Sequence, residues 1–217
     1  MTDLSFEVMG AKPVPYAVTP AIAFRLRVRE RRAIQAMLLH CQLRIEPRCR
    51  AHARDEQERL IDVFGAPERW GETLHALPWT QATIHLPPFE GAAEVDLPVA
   101  CTYDFEVTAA KYLASLEGGE IPLRFLFSGT IFVKSAGGFM VEQVPWNKDA
   151  VWRLPVSAWR ELMDAYFPGT AWIRLRRETL DLLQRERARN GFVSWDETIE
   201  TILKGDLKCA PLVGPSR

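Results

Sequence analysis

Residues Val95–Val107 read VDLPVACTYDFEV, in which Val95, Leu97, Val99, Cys101, Tyr103, Phe105 and Val107 alternate strictly with Asp96, Pro98, Ala100, Thr102, Asp104 and Glu106. Apolar residues at every second position put one face of a pleated strand on a core and leave the other to solvent. A long half-buried strand is expected here, not a catalytic loop. The same period recurs upstream. Phe24, Leu26 and Val28 alternate with Arg25, Arg27 and Arg29, while Leu39, Cys41, Leu43 and Ile45 alternate with His40, Gln42, Arg44 and Glu46. With Glu30 to Ala36 as the connection, these two runs predict an antiparallel hairpin whose polar face is rich in arginine. Further strands are expected in LSFEVMG near the N-terminus and in WTQATIHLPPF. IPLRFLFSGTIFV, beginning at Ile121, is apolar on both faces, which suits a strand near the centre of the fold. Gly137 and Gly138 then mark a hairpin turn that returns through FMVEQV.

Helical spacing interrupts this pattern. RDEQERLIDVFGAPERW reads as a short helical insertion, and Thr108 to Leu116 as a helix ended by Gly118 and Gly119. From Pro155 the period becomes 3.6, with Val156, Trp159, Leu162, Met163 and Tyr166 on one stripe closed by Pro168 and Gly169. A second helix is expected to carry Trp172, Leu175, Leu182 and Leu183. A third should follow the capping-box pair Ser194 and Glu197. Strands followed by helices, without βαβ alternation, predict the α+β class. The expected architecture is an antiparallel β-sandwich over residues 1–154 with short helical insertions, then a C-terminal helical appendage over 155–207 packed on the same domain. Residues 208–217 are expected to form a loose tail.

A chain of 217 residues, 47% of them hydrophobic, can bury a core without staples. Its formal net charge of -1 argues against a whole-protein electrostatic role on nucleic acid or on an anionic membrane. No apolar run approaches the roughly 20 residues of a membrane helix. The opening MTDLSFEVMGAKPVPY lacks the basic and apolar regions of a signal peptide, so a cytoplasmic protein is expected. Cys41, Cys49, Cys101 and Cys209 are widely scattered and read as reduced thiols.

The chemical candidates are few. Cys49 and His52 have a spacing that could supply half a zinc site, with His40 and Cys41 nearby, but strand alternation points Cys41 inward and His40 outward. His75 and His85 could act as general bases with Asp96, Asp104 or Glu106 as carboxylate partners. No nucleophile elbow, phosphate loop, zinc-protease or dinucleotide motif accompanies them. The sequence therefore calls for no catalytic residue, no metal and no cofactor. What stands out is charge: nine arginines lie between Arg25 and Arg54, and Arg25, Arg27, Arg29 and Arg44 form a candidate surface for an acidic protein partner. Trp146, Trp152 and Trp159 are expected mostly to anchor helices to the sheet, one or two left exposed marking a partner site.

The segments FGAPERWGETL, DLPVACTYDFEVTAAKYL, IPLRFLFSGTIF, VEQVPWNKDA and LPVSAWRELMDAYFPGTAWIRLRRETLDLLQ resemble an uncharacterised bacterial protein family of actinobacterial type, a domain of unknown function. The resemblance implies genes lying beside those of a nickel-iron hydrogenase and its maturation factors, and it supplies no catalytic residues. A non-enzymatic accessory protein is expected, one that binds a hydrogenase subunit or maturation factor during assembly. The competing expectations are a holdase-type chaperone for apolar segments and a Cys/His-based hydrolase or metal-handling protein.

Overall fold

The strand that organises the molecule is longer than either run suggests, because β2 continues unbroken from Ala21 to Ile45. The computed structural model describes residues 3–102, 107–135, 137–170 and 172–205. Around β2 lie β1 (Ser5–Pro13), β3 (Leu77–Leu86), β4 (Phe89–Ala100), β5 (Glu120–Ser135), β6 (Gly138–Gln143) and β7 (Asp149–Pro155), all joined antiparallel in one seven-stranded sheet. The two separate sheets of a sandwich are replaced by this continuous one. The expected hairpin is likewise corrected: Glu30 to Ala36 is no turn but the middle of β2.

The reason lies in a change of parity. In the first half of β2 the even-numbered Phe24, Leu26 and Val28 are buried, and in the second half the odd-numbered Leu39, Cys41, Leu43 and Ile45. A turn can reset parity, and so can a β-bulge, which adds residues to one strand without ending it. Register shifts at Glu30/Ile34 against β4 and at Ile34/Ala36 against β5 mark the bulge. A straight strand of this length would reach roughly 80 Å, far beyond the span of a compact unit, so the bend is obligatory.

β3 and β4 run collinearly along one edge of β2, separated by Pro87 and Pro88, while β1 and β5 line the other. β5 in turn carries β7 along Glu120–Leu126 and β6 along Thr130–Ser135. Aromatic rings join the two halves of the folded sheet: Phe6 stacks on Phe127 at 4.2 Å and Phe24 meets Phe125 edge-on at 5.1 Å. At Gly129 the backbones of β5 and β2 approach so closely that a Cβ would strike the carbonyl of Leu38, and φ is +143°. Glycine is required there.

The bend is clamped by charge. Glu30 is buried at 2% exposure, and its carboxylate accepts from the Arg32 main-chain N–H at 3.2 Å and from the guanidinium at 3.2 and 3.1 Å. The same guanidinium donates to both oxygens of Glu142 on β6 at 2.8 and 3.1 Å. Burial alone would push the Glu30 carboxyl up, but the hydrogen bonds and charge of Arg32 outweigh it and hold it below the ordinary glutamate value.

Other elements refine the sequence reading. β4 begins at Phe89 and ends at Ala100, so the strand expected over Val95–Val107 is shifted N-terminally, and Tyr103 to Glu106 lie outside the described residues. Helices precede residue 155 as well as follow it: α1 (Arg54–Arg59), α2 (Ile61–Phe64), α3 (Trp70–Thr73) and α4 (Thr108–Ser115) come before α5 (Val156–Tyr166). α5 buries Val156, Trp159, Leu162 and Met163 as the stripe requires. The chain divides into two compact units, Met1–Ile173 and Arg174–Arg217. Of segment 155–207, α5 lies in the first unit, and α6 (Arg177–Asn190) and α7 (Trp195–Leu203) lie in the second. α6 starts after Trp172 and Leu175, which the sequence had placed inside it. Gly191 at φ +69° closes α6, Ser194 caps α7 by accepting from the Glu197 N–H at 3.1 Å, and Arg187 lies over the Trp195 ring at 4.9 Å. The expected tail 208–217 lies outside the described residues.

Replacing Arg32 with Met should strand the Glu30 carboxylate in the bend and cost roughly 3 kcal/mol, the low end for a broken buried pair because Arg32 is partly solvated. A double variant, Glu30→Leu with Arg32→Met, should recover part of that loss in denaturant melts. Equal instability of the two variants would remove the clamp from the account.

Candidate functional site

Arg25, Arg27 and Arg29 project from the outer face of β2, as their alternation requires. There they meet carboxylates from both neighbouring strands. Arg25 contacts Asp96 at 2.7 Å and Glu94 at 3.7 Å, Arg27 contacts Glu94 at 2.6 Å, and Arg29 contacts Glu7 at 3.5 Å. Lys12 adds a contact to Asp96 at 3.3 Å. The self-repulsion expected of clustered arginines is thus relieved within the sheet. Arg44 sits beyond the bend on the same strand, bonded to Gln42 at 3.0 Å and opposite Arg124, which contacts Asp149 at 3.3 Å and Glu46 at 3.6 Å.

The cysteine and histidine candidates are scattered. Cys41 and Cys101 are buried, and burial pushes each thiol up to about 12. Such thiols are protonated at neutral pH and poor nucleophiles. Cys49 is exposed and opens on a cavity of about 510 Å³ lined also by Glu46, Glu120, Arg124, Trp152 and Arg153, with no imidazole among the lining residues. His40 contacts the Thr83 hydroxyl at 2.9 Å, and His75 and His85 are exposed. Asp96 is committed to Arg25 and Lys12, while Asp104, Glu106 and Cys209 lie outside the described residues. Among the described residues no three His, Cys, Asp or Glu side chains converge on a metal position.

His52 is instead part of a buried clamp that fastens the helical insertion. Its Nε2 lies 3.1 Å from the hydroxyl of Tyr112, a fully buried side chain, and its ring meets Trp70 edge-on at 5.3 Å. Burial, then the charge of Arg50, lower the imidazole below its ordinary value, and burial raises the Tyr112 phenol. Beside them Glu56, 1% exposed, accepts from Arg50 at 2.8 and 2.9 Å, from the Ala53 N–H at 3.0 Å and from the Glu117 N–H at 2.8 Å. Burial alone would raise this carboxyl, but the two main-chain donors and Arg50 hold it below the ordinary range. These groups are satisfied and inward, which is the chemistry of a fastening.

The exposed apolar surface lies elsewhere. On β6, Phe139, Met140 and Val141 are consecutive and 61%, 50% and 53% exposed, and in the next turn Trp146 is 94% exposed. Phe139 meets Phe132 edge-on at 5.6 Å, so two rings share the outer face of the β5–β6 ladder. Trp146 is held out by a closed loop. Val144 donates to Gly129 O at 2.9 Å, Lys148 donates to Pro145 O at 3.2 Å, and Phe127 donates to Lys148 O at 3.0 Å. An edge strand normally shows water a charge or a proline. Sequence reasoning took FMVEQV as the plain return of a hairpin. Three apolar residues in a row, which no half-buried strand can hide, were the signal.

The chain belongs to a family of unknown function (DUF6084), whose model matches residues 1–210. No curated protein matches it significantly. Among solved structures it is similar to the β-glucosidase from Kluyveromyces marxianus, at 12% identity and a TM-score of 0.25, covering 70% of this chain and 15% of the enzyme. It is also similar to the CARDB domain of a Pyrococcus furiosus protein in complex with di-metal ions, at 10% identity and a TM-score of 0.26, covering 70% of this chain and 86% of that domain. The chain thus spans about a seventh of the glucosidase, and likenesses this distant carry no argument about its activity.

Two outcomes follow from the buried groups. In a Cys209→Ser background, Cys49 should react with a thiol reagent in the folded protein, and Cys41 and Cys101 only on unfolding; rapid modification of all three in the native state would contradict their burial. Glu56 and His52 titrate below their unfolded values, so each contributes stability that is complete above the unfolded pKa and falls as pH drops towards the folded one. Urea melts should therefore weaken from neutral to acid pH, and Glu56→Gln should be less stable at pH 7 with a shallower acid decline.

Proposed function

We propose that this is a non-enzymatic accessory protein that binds another protein through β6 and the Trp146 turn. The observation that carries the reading is the juxtaposition of Phe139, Met140 and Val141 with a 94% exposed indole on a rigidly bonded edge. Exposed aromatic side chains set in apolar surroundings are the usual anchors of protein interfaces. The arginine face is the second surface on offer. Its side chains already hold Glu94, Asp96 and Glu7, so an acidic partner there would have to displace the protein's own carboxylates, and such exchanges between exposed ion pairs yield at most about 1 kcal/mol.

The resemblance read from the sequence makes a nickel-iron hydrogenase subunit or maturation factor the first partner to test, and help in its assembly the finer role proposed. The proposed setting is the cytoplasm; among the described residues no helix is long and apolar enough to cross a membrane. A holdase role would use a different feature, the apolar groove of about 690 Å³ between Val14, Pro15, Tyr16 and the α5 residues Leu162, Ala165 and Tyr166. There Tyr16 is fully exposed with φ +56°.

Affinity capture from the native host tests the reading. Phe139→Ser with Trp146→Ala should lose the captured partner, whereas Arg25→Glu with Arg27→Glu should retain it. Loss with the arginine variant alone would move the contact to that face, and loss with Tyr16→Asp alone would favour client holding.

A further inference from the structure

We propose that β6 is a strand-addition site, which takes on its free edge an extended, apolar-acidic segment of a partner protein. The inference rests on the protein-binding reading above and gives the partner its chemistry. β6 ends its path in the sheet, so one row of its main-chain groups pairs with β5, and among the described residues the other row has no bonded partner. Counting from the Ser135–Gly138 pair that closes the turn, Phe139, Val141 and Gln143 direct their N–H and C=O groups to that free side. An unpaired row of this kind is a template for another strand, and Phe139–Val141 carries no proline or charge to blunt it. An incoming strand would lay alternate side chains over Phe139 and Val141 on one face and over Met140 on the other.

Charge selects the segment. Glu142 shares Arg32 with Glu30, and Asp149 shares Arg124 with Glu46, so both acids near the patch are held in ion pairs. Lys134, opposite Phe139, and Lys148, two residues after Trp146, have no carboxylate within 4.0 Å among the described residues. These two lysines are the cations beside the patch that hold no ion-pair partner among the described residues, and they favour acidic side chains. Its extent argues against a second copy of this chain. On usual side-chain areas the exposed parts of Phe139, Met140, Val141 and Trp146 offer roughly 500 Å², short of the roughly 800 Å² a side of a standard stable interface. One added strand fits that size.

The full-length protein can be titrated with an acetylated eight-residue peptide alternating valine with glutamate, and with the same peptide carrying lysine instead. The glutamate peptide should bind about ten-fold more tightly than the lysine one, weaken as salt rises, and slow amide exchange within 138–143. Val141→Pro, which removes an outward N–H, should abolish binding; Phe139→Ser with Val141→Ser, which leaves the main chain intact and adds no charge, should do the same. No binding, binding without protection of residues 138–143, or equal binding of the two peptides overturns the proposal. If a captured protein survives Val141→Pro but not Phe139→Ser with Trp146→Ala, the protein-binding reading stands and strand addition falls.

Discussion

The bulge in β2 and the Arg32 guanidinium that fills it govern the rest of the architecture. Without a parity switch near residue 34, Leu39, Cys41, Leu43 and Ile45 would face solvent whenever Phe24, Leu26 and Val28 faced the core. With it, both halves of a 25-residue strand present apolar side chains inward and the sheet can fold across its own core. The cost is a kinked backbone next to a buried carboxylate. Arg32 offsets it by bonding Glu30 at the bend and Glu142 on β6 at once, so a single side chain fixes both the bend and the strand proposed to receive a partner.

Polar chemistry in the described residues is spent on holding. The outer ladder of Arg25, Arg27 and Arg29 with Glu94, Asp96 and Glu7 contributes little stability, since exposed pairs are worth at most about 1 kcal/mol each, but it leaves that face nearly neutral. The inner clamp of Arg50 and Glu56 ties residues 50–56 to the connection between α4 and β5 through the Glu117 N–H. Neither leaves a base beside a nucleophile. β6 departs from that pattern, because three apolar side chains and an indole stay in water there.

Much of this fold was legible as period. The strands around Leu97, Ile121 and Leu39, the helix stripe from Val156 to Tyr166, and the Ser194 cap all follow from spacing and turn chemistry. The middle of β2 was not legible, because a parity change with charged residues at the switch reads equally as a turn or as a bulge, and only tertiary pairing with β4 and β5 decides. The start of α6 was missed for a related reason: Trp172 and Leu175 have helical spacing, yet the helix begins only at Arg177. Of the candidate surface, the common face of Arg25, Arg27 and Arg29 was legible from alternation. The pairing of Arg25 and Arg27 with residues 67 to 71 positions away was not, since Glu94 and Asp96 are distant in sequence.

The edge and the clamp make sense together. A strand that adds a partner segment must keep its own main chain in place while one row of bonds is empty, and a six-residue strand held only by a hairpin would fray. Here Glu142 is tied to the bend of β2 through Arg32, and the residue after β6, Val144, is buried and bonded to Gly129. Both ends of the return strand are thereby fixed, one by the turn and one by the core, while Phe139 to Val141 between them stay exposed. Fixing the strand in advance removes ordering entropy from the binding step, which is where a small docking edge gains affinity.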